Sequence, residues 1–126
     1  MTITELKHNL STIGSALRLE INDSSNGNEL TLILSEMLPL LSLSADTKAR
    51  AEILLNNQLA ELIESGKYES YPASDRKFLR QRDCSELTEL YNKAEYYDKQ
   101  MHYRINALIT MISSAKEIYK NEMRNA

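Results

Sequence analysis

From Ala73 to the last residue, Ala126, the chain contains neither glycine nor proline. Within that stretch apolar residues return at helical spacing from Leu87 to Tyr119. A run of this length without a helix breaker predicts one very long helix, and such a helix needs neighbours along its length. Three seven-residue rows define its inner side. The first is Leu87, Ala94, Met101, Leu108 and Ala115. The second is Leu90, Tyr97, Arg104, Met111 and Ile118, and the third is Tyr91, Asp98, Ile105, Ile112 and Tyr119. Three partly apolar rows make a seam broad enough for more than one neighbouring helix. Asp98 and Arg104 interrupt it near its middle.

The remainder of the chain is also helical in pattern. Thr2 and Glu5 form a capping box, and Leu6, Leu10, Ile13, Leu17 and Ile21 follow on one face. A polar loop, Asn22 to Asn28, ends this first helix. A second helix, about Glu29 to Leu38, is apolar on most sides and is expected to be the most buried; Pro39 ends or kinks it. A third begins after Ser44 or Asp46 and stops at Gly66, a residue suited to the left-handed turn beyond a helix. Residues 67–82 form a loop and a short helix capped by Ser74. The long helix occupies 83–123, starting afresh at Asp83 or continuing from Ser74. The fold class expected is all-α, a four- to five-helix bundle in a single domain spanning 1–126.

From Asp83 to Met123 such a helix is ~60 Å long at about 1.5 Å per residue. A compact domain of this size has a radius of gyration of only ~14 Å. The sequence therefore predicts an elongated molecule or a second chain covering the projecting part. The expected oligomer interface is Leu87, Leu90, Met101, Leu108 and Ile112, in a symmetric coiled-coil dimer.

Charge and composition narrow the function. The net charge of −3 argues against a general nucleic-acid binder. It is unevenly spread: residues 1–67 carry nine acidic and five basic side chains, net −4, and residues 68–126 carry nine and ten, net +1. One cysteine, Cys84, excludes an internal disulfide and suits a reducing compartment. The N-terminus lacks the basic and apolar regions of a signal peptide. The most apolar window, Leu30 to Leu43, is too short to span a bilayer and contains Glu36 and Pro39. A soluble, cytoplasmic protein without a membrane partner is expected.

Chemistry-bearing motifs are sparse. The glycines at 14, 27 and 66 form no phosphate loop. Glu95, Asp98 and His102 share a helix face, but the glutamates and the Glu-x-x-His pairs of a helical carboxylate metal site are missing. Cys84 lies at a helix start, where the dipole favours a thiolate, yet neither His8 nor His102 sits in a catalytic context. No metal and no cofactor are expected, and the chain is read as a non-enzyme.

Two features point to binding. The basic run Arg76, Lys77, Arg80 and Arg82 offers forked donors to phosphate or carboxylate, with Tyr68, Tyr71 and Phe78 near it in sequence for stacking. The competing assignment is a solvated face pairing with Asp75, Asp83 and Glu86. All seven tyrosines lie at or after Tyr68, and those of the long helix, Tyr96 and Tyr103 among them, cover more than one of its faces. Exposed tyrosine is frequent at protein interfaces. The expected function is an adaptor, inhibitor or assembly component that binds another macromolecule through the tyrosine-rich C-terminal half. Ranked below it is a binder of a short nucleic acid or nucleotide-like anion through 76–82. In composition over the whole chain, though not in any motif, the sequence resembles small helical accessory proteins of bacteria and phages.

Overall fold

The computed structural model describes residues 1–125. They form four helices and no strand: α1 (Ile3–Leu17), α2 (Gly27–Glu64), α3 (Ala73–Asp83) and α4 (Ser85–Asn125). The all-α bundle with a long final helix is what the periodicity predicts.

The α2 helix departs from expectation. The second and third helices of the sequence reading are one helix of 38 residues that runs through Pro39. Proline in a helix interior costs about 3 kcal/mol, through a lost amide donor and a clash with the preceding turn. Here Pro39 lies on the exposed side, where water can reach the carbonyl it leaves free. Burial of Leu30, Ile33 and Met37 before it and of Ser44, Thr47 and Ala51 after it holds both halves against α4. Those six positions step by three, four, seven, three and four, so the seam passes through the proline without a change of phase. The α2 helix is not buried all round, since Leu32 and Leu38 are 66% and 48% exposed.

Helix α4 has 41 residues, nearly the length of α2. The two run antiparallel. A Cβ at Gly27 would stand 3.9 Å from that of Ala115, Ser44 bonds Asp98, and Gln58 Nε2 donates to the Asp83 carbonyl at 3.3 Å. The whole first row of α4, Leu87, Ala94, Met101, Leu108 and Ala115, is buried. Helix α1 lies in the groove between them, parallel to α4, with Lys7 paired to Glu86 at 2.9 Å and Gly14 against Tyr97.

The interior divides into two apolar clusters. One gathers Ile13 and Ala16 of α1, Leu30, Ile33 and Met37 of α2, and Met101, Ile105 and Leu108 of α4. The other gathers Leu6, Leu10, Ala51 and Ala94. Between them on α2 lie Ser44 and Thr47, both buried; Ser44 donates to Asp98, and the Thr47 hydroxyl donates to the Leu43 carbonyl.

The residues expected at an oligomer interface lie largely inside the single chain. Leu87, Met101 and Leu108 are buried within the single chain, and Leu90 and Ile112 are half-buried against the same core. The partner that the long helix needs is α2, which becomes long enough once Pro39 does not interrupt it. Beyond Ala115, every α4 residue through Asn125 is exposed.

Helix ends follow local chemistry. The Thr2–Glu5 capping box opens α1. That helix ends at Leu17 and not at Ile21, and Leu19 and Ile21 pack on the core from the following loop. Asn26 caps α2 by accepting from the Asn28 and Glu29 amides. Gly66, with φ +63°, makes the left-handed turn after α2. Pro72, not Ser74, stands at the start of α3. Cys84 separates α3 from α4, so the long helix starts afresh.

Candidate functional site

The basic run 76–82 is divided by its own helix. Arg76, Leu79, Arg80 and Asp83 form the half-buried side of α3, and no α3 residue is fully buried. Arg76, Lys77, Arg80 and Gln81 line a groove of about 480 Å³ together with Leu59 and Ile63 of α2. The groove therefore has apolar side chains on the α2 side and cations on the α3 side. Among the described residues Arg76, Lys77 and Arg80 make no ion pair. The Arg80 Nε is buried without a hydrogen-bond partner among them.

Arg82 is held elsewhere. Its Nη2 donates to the Tyr68 hydroxyl at 3.2 Å and to Asp83 Oδ1 at 3.4 Å. The Tyr68 hydroxyl donates to Asp83 Oδ2, and Lys67 Nζ reaches the same oxygen at 3.4 Å. The Tyr68 hydrogen bond leads in lowering the Asp83 pKa below the ordinary carboxylate value, with Lys67 and Arg82 assisting. Tyr68 is thereby buried, a structural strut between the loop after α2 and the end of α3. The aromatic groups expected to stack near the basic run are not in the groove: Tyr68 is tied to Asp83, and Tyr71 and Phe78 are exposed without lining it.

Arginine and tyrosine do meet at a different place. A cleft of about 460 Å³ between α1 and α4 is lined by Arg18, Tyr96, Tyr97, Gln100, Tyr103 and Arg104, with Gly14, Leu17 and Ala107 behind them. Tyr96 and Tyr103 are 58% and 68% exposed, two helical turns apart on one face of α4. Gly14 matters to this geometry. A Cβ there would come within 3.0 Å of the Tyr97 hydroxyl and 3.2 Å of an Arg18 guanidinium nitrogen. Its absence lets both groups lie against α1. Arg104 donates through Nη2 to the Leu19 carbonyl just past the end of α1, while its Nε is buried with no partner among the described residues. Lys93 Nζ stands 5.5 Å from the centre of the Tyr97 ring, a cation–π contact.

Tyr96 and Tyr103 are legible in the sequence as exposed aromatics. Arg18 and Arg104 are not legible as site residues, because only the parallel packing of α1 on α4 brings them together. Local spacing shows Arg104 merely as a gap in an apolar row.

The other candidates have ordinary partners. Asp98 accepts from Ser44, and His102 Nε2 is 3.9 Å from its Oδ1. Glu95 pairs with Lys99 at 3.3 Å. Among the described residues no three His, Cys, Asp or Glu side chains are grouped to hold a metal. Cys84 is buried, and burial, with the Asp83 charge adding to it, pushes its thiol pKa up. The thiolate expected from a helix start is not favoured there. Helix α2 is long and apolar enough, by length and composition alone, to cross a bilayer, a test that core helices of soluble proteins also pass. Compared with known proteins, the chain matches no family model, no curated protein and no solved structure.

Proposed function

We propose that this chain is a non-enzymatic interaction protein that binds another macromolecule, a protein with an acidic, amphipathic docking segment, where the start of its C-terminal half packs beside the end of α2. The observation that carries the proposal is the α2–α3 groove, with Leu59 and Ile63 on one side and the free cations Arg76, Lys77 and Arg80 on the other. A helical segment laid in such a groove buries its apolar face on the α2 side chains. Its carboxylates meet guanidinium groups that otherwise lack an acid partner. The arginine pair is the natural hot spot, since arginine anchors in partly desolvated pockets dominate many interfaces. Exposed Phe78 and Tyr71 extend the apolar area around α3.

We place the protein in the cytoplasm as a soluble chain. Support comes from its single, buried cysteine, which forms no disulfide within the chain, and from Glu36 within the apolar stretch of α2. Self-association through Leu87, Met101 and Leu108 is not part of the proposal, because those side chains are spent in the core.

Paired affinity captures from the native host test the reading, one with the wild-type chain and one with the Arg76→Glu/Arg80→Glu variant. A partner recovered by the wild type should be lost with the charge-reversed bait. A peptide copying its acidic segment should bind the wild-type chain in solution. Equal recovery by both baits moves the interface elsewhere. Failure to recover any specific partner, together with turnover of a small molecule, reverses the proposal.

A further inference from the structure

The α1–α4 cleft shares no lining residue with the partner groove, and its chemistry is different. Two arginines, three tyrosines and a glutamine converge there, and no carboxylate lines it. We infer that this cleft is a binding site for a planar aromatic anion, of the chemical class of a nucleoside monophosphate.

Four observations carry the inference. First, the polar lining is rich in donors and poor in acceptors. Arg18 makes no ion pair among the described residues, and the Arg104 Nε is buried without a partner. A ligand that supplies acceptor oxygens gives Arg18 the acid partner it lacks and meets a donor-rich wall. Second, Arg104 is held in place beforehand and Arg18 lies close by. Arg104 is anchored by its bond to the Leu19 carbonyl, and the Arg18 guanidinium lies over the notch at Gly14. Anchoring uses Nη2 and leaves Nη1 of Arg104, beside the exposed Arg18 guanidinium, to donate to a phosphate. Third, Tyr96 and Tyr103 stand roughly 10 Å apart along α4 with Gln100 between them. Tyrosine faces receive a flat ring, and an amide between them can donate to and accept from its edge. Fourth, a volume of about 460 Å³ suits a single nucleotide and lies within the usual range for small-ligand sites.

The basic and aromatic ingredients that the sequence suggests for an anion site at 76–82 are thus found together here instead. In a chain of net charge −3, a cleft with two cations and no acid on its walls stands out locally as the favourable place for an anion.

Calorimetric titration of the full chain with AMP, UMP, adenosine and inorganic phosphate, at low and moderate salt, provides the test. The nucleotides should bind, and adenosine and phosphate alone should bind at least about tenfold more weakly, since each engages half of the site. Nucleotide affinity should fall with salt. Arg18→Ala and Tyr103→Ala change exposed side chains, so circular dichroism should show both variants folded. Arg18→Ala should weaken nucleotide binding about tenfold or more and flatten the salt dependence. Tyr103→Ala should weaken it at least about fivefold. Absence of nucleotide binding at low salt overturns the inference, as does binding unchanged by both variants. Phosphate binding as tight as AMP binding overturns the aromatic half of it. Partner capture through the α2–α3 groove should survive both substitutions, so the two proposals fail separately.

Discussion

The Ser44 hydroxyl donates a hydrogen bond to Asp98 Oδ1 across the seam between α2 and α4. Apolar clusters lie on either side of it, with Met37 one heptad before Ser44 and Ala51 one heptad after. Two helices that repeat every seven residues can slide by one repeat and still match apolar rows. Such a slide would set Asp98 against Met37 or Ala51 and leave a carboxylate without its donor. The bond therefore fixes register, as single polar residues do in coiled coils.

Replacing that donor should be measurable. Ser44→Ala is expected to cost about 1.5 kcal/mol, the low end for a hydrogen bond to a charged group. Asp98 retains 15% side-chain exposure, so water can take part of the donor's place. The urea midpoint should fall with an unchanged slope. A cycle with Asp98→Ala should show the two changes to be coupled.

The Tyr68–Asp83 bond predicts a pH dependence with a definite sign. Asp83 has its folded-state pKa lowered from the ordinary 3.8, chiefly by the Tyr68 hydroxyl. A lowered carboxylate contributes stability above its unfolded pKa and loses it as pH falls through the folded one. Tyr68→Phe removes the donor. The variant should be less stable than wild type at pH 7, and the gap should narrow in acid, below the ordinary aspartate range. Urea melts of both proteins at neutral and acid pH check it; a gap that does not change with pH would deny Asp83 this role.

Met101 is wholly buried in the larger cluster, whereas Leu32 on α2 is mostly exposed. Met101→Ala should destabilise by about 2–5 kcal/mol, from lost burial plus the cavity left behind. Leu32→Ala should stay within about 0.5 kcal/mol. Comparable losses at both positions would contradict the packing described.

Pro39 offers the opposite effect. It sits inside a continuous helix on the solvent side, and its ring donates nothing. Pro39→Ala should restore an amide donor and relieve the clash, raising stability by about 1–3 kcal/mol. Thermal unfolding should shift upward. An unchanged or lowered midpoint would mean that the proline helps to shape the seam.

That same residue explains where sequence reasoning stops. The inner face of α1 (Leu6, Leu10, Ile13), the buried α4 row and the turn at Gly66 are all legible, because each depends on local periodicity or on one residue's conformational freedom. Whether a helix survives a proline depends on a balance with tertiary burial, and local rules do not contain that balance. Reading Pro39 as a stop leaves α4 without a partner of its own length, and a second chain is then invoked to cover Leu87, Met101 and Leu108. At the sites, tyrosine exposure and the charge of 76–82 are legible. The separation of Arg82 from Arg80 is not, because it depends on where the Tyr68 hydroxyl lands. The meeting of Arg18 with Arg104 is set by how α1 docks.

Because α2 and α4 repeat in step while running in opposite directions, the chain's length is constrained in a particular way. A seven-residue deletion from α2 alone would strip cover from two turns of α4, and the reverse deletion would do the same to α2. Taking seven residues from facing places on both would shorten the rod and keep its seam intact. Related chains that keep this architecture should therefore differ by paired insertions or deletions, one in each long helix, so that distant parts of the sequence grow or shrink together.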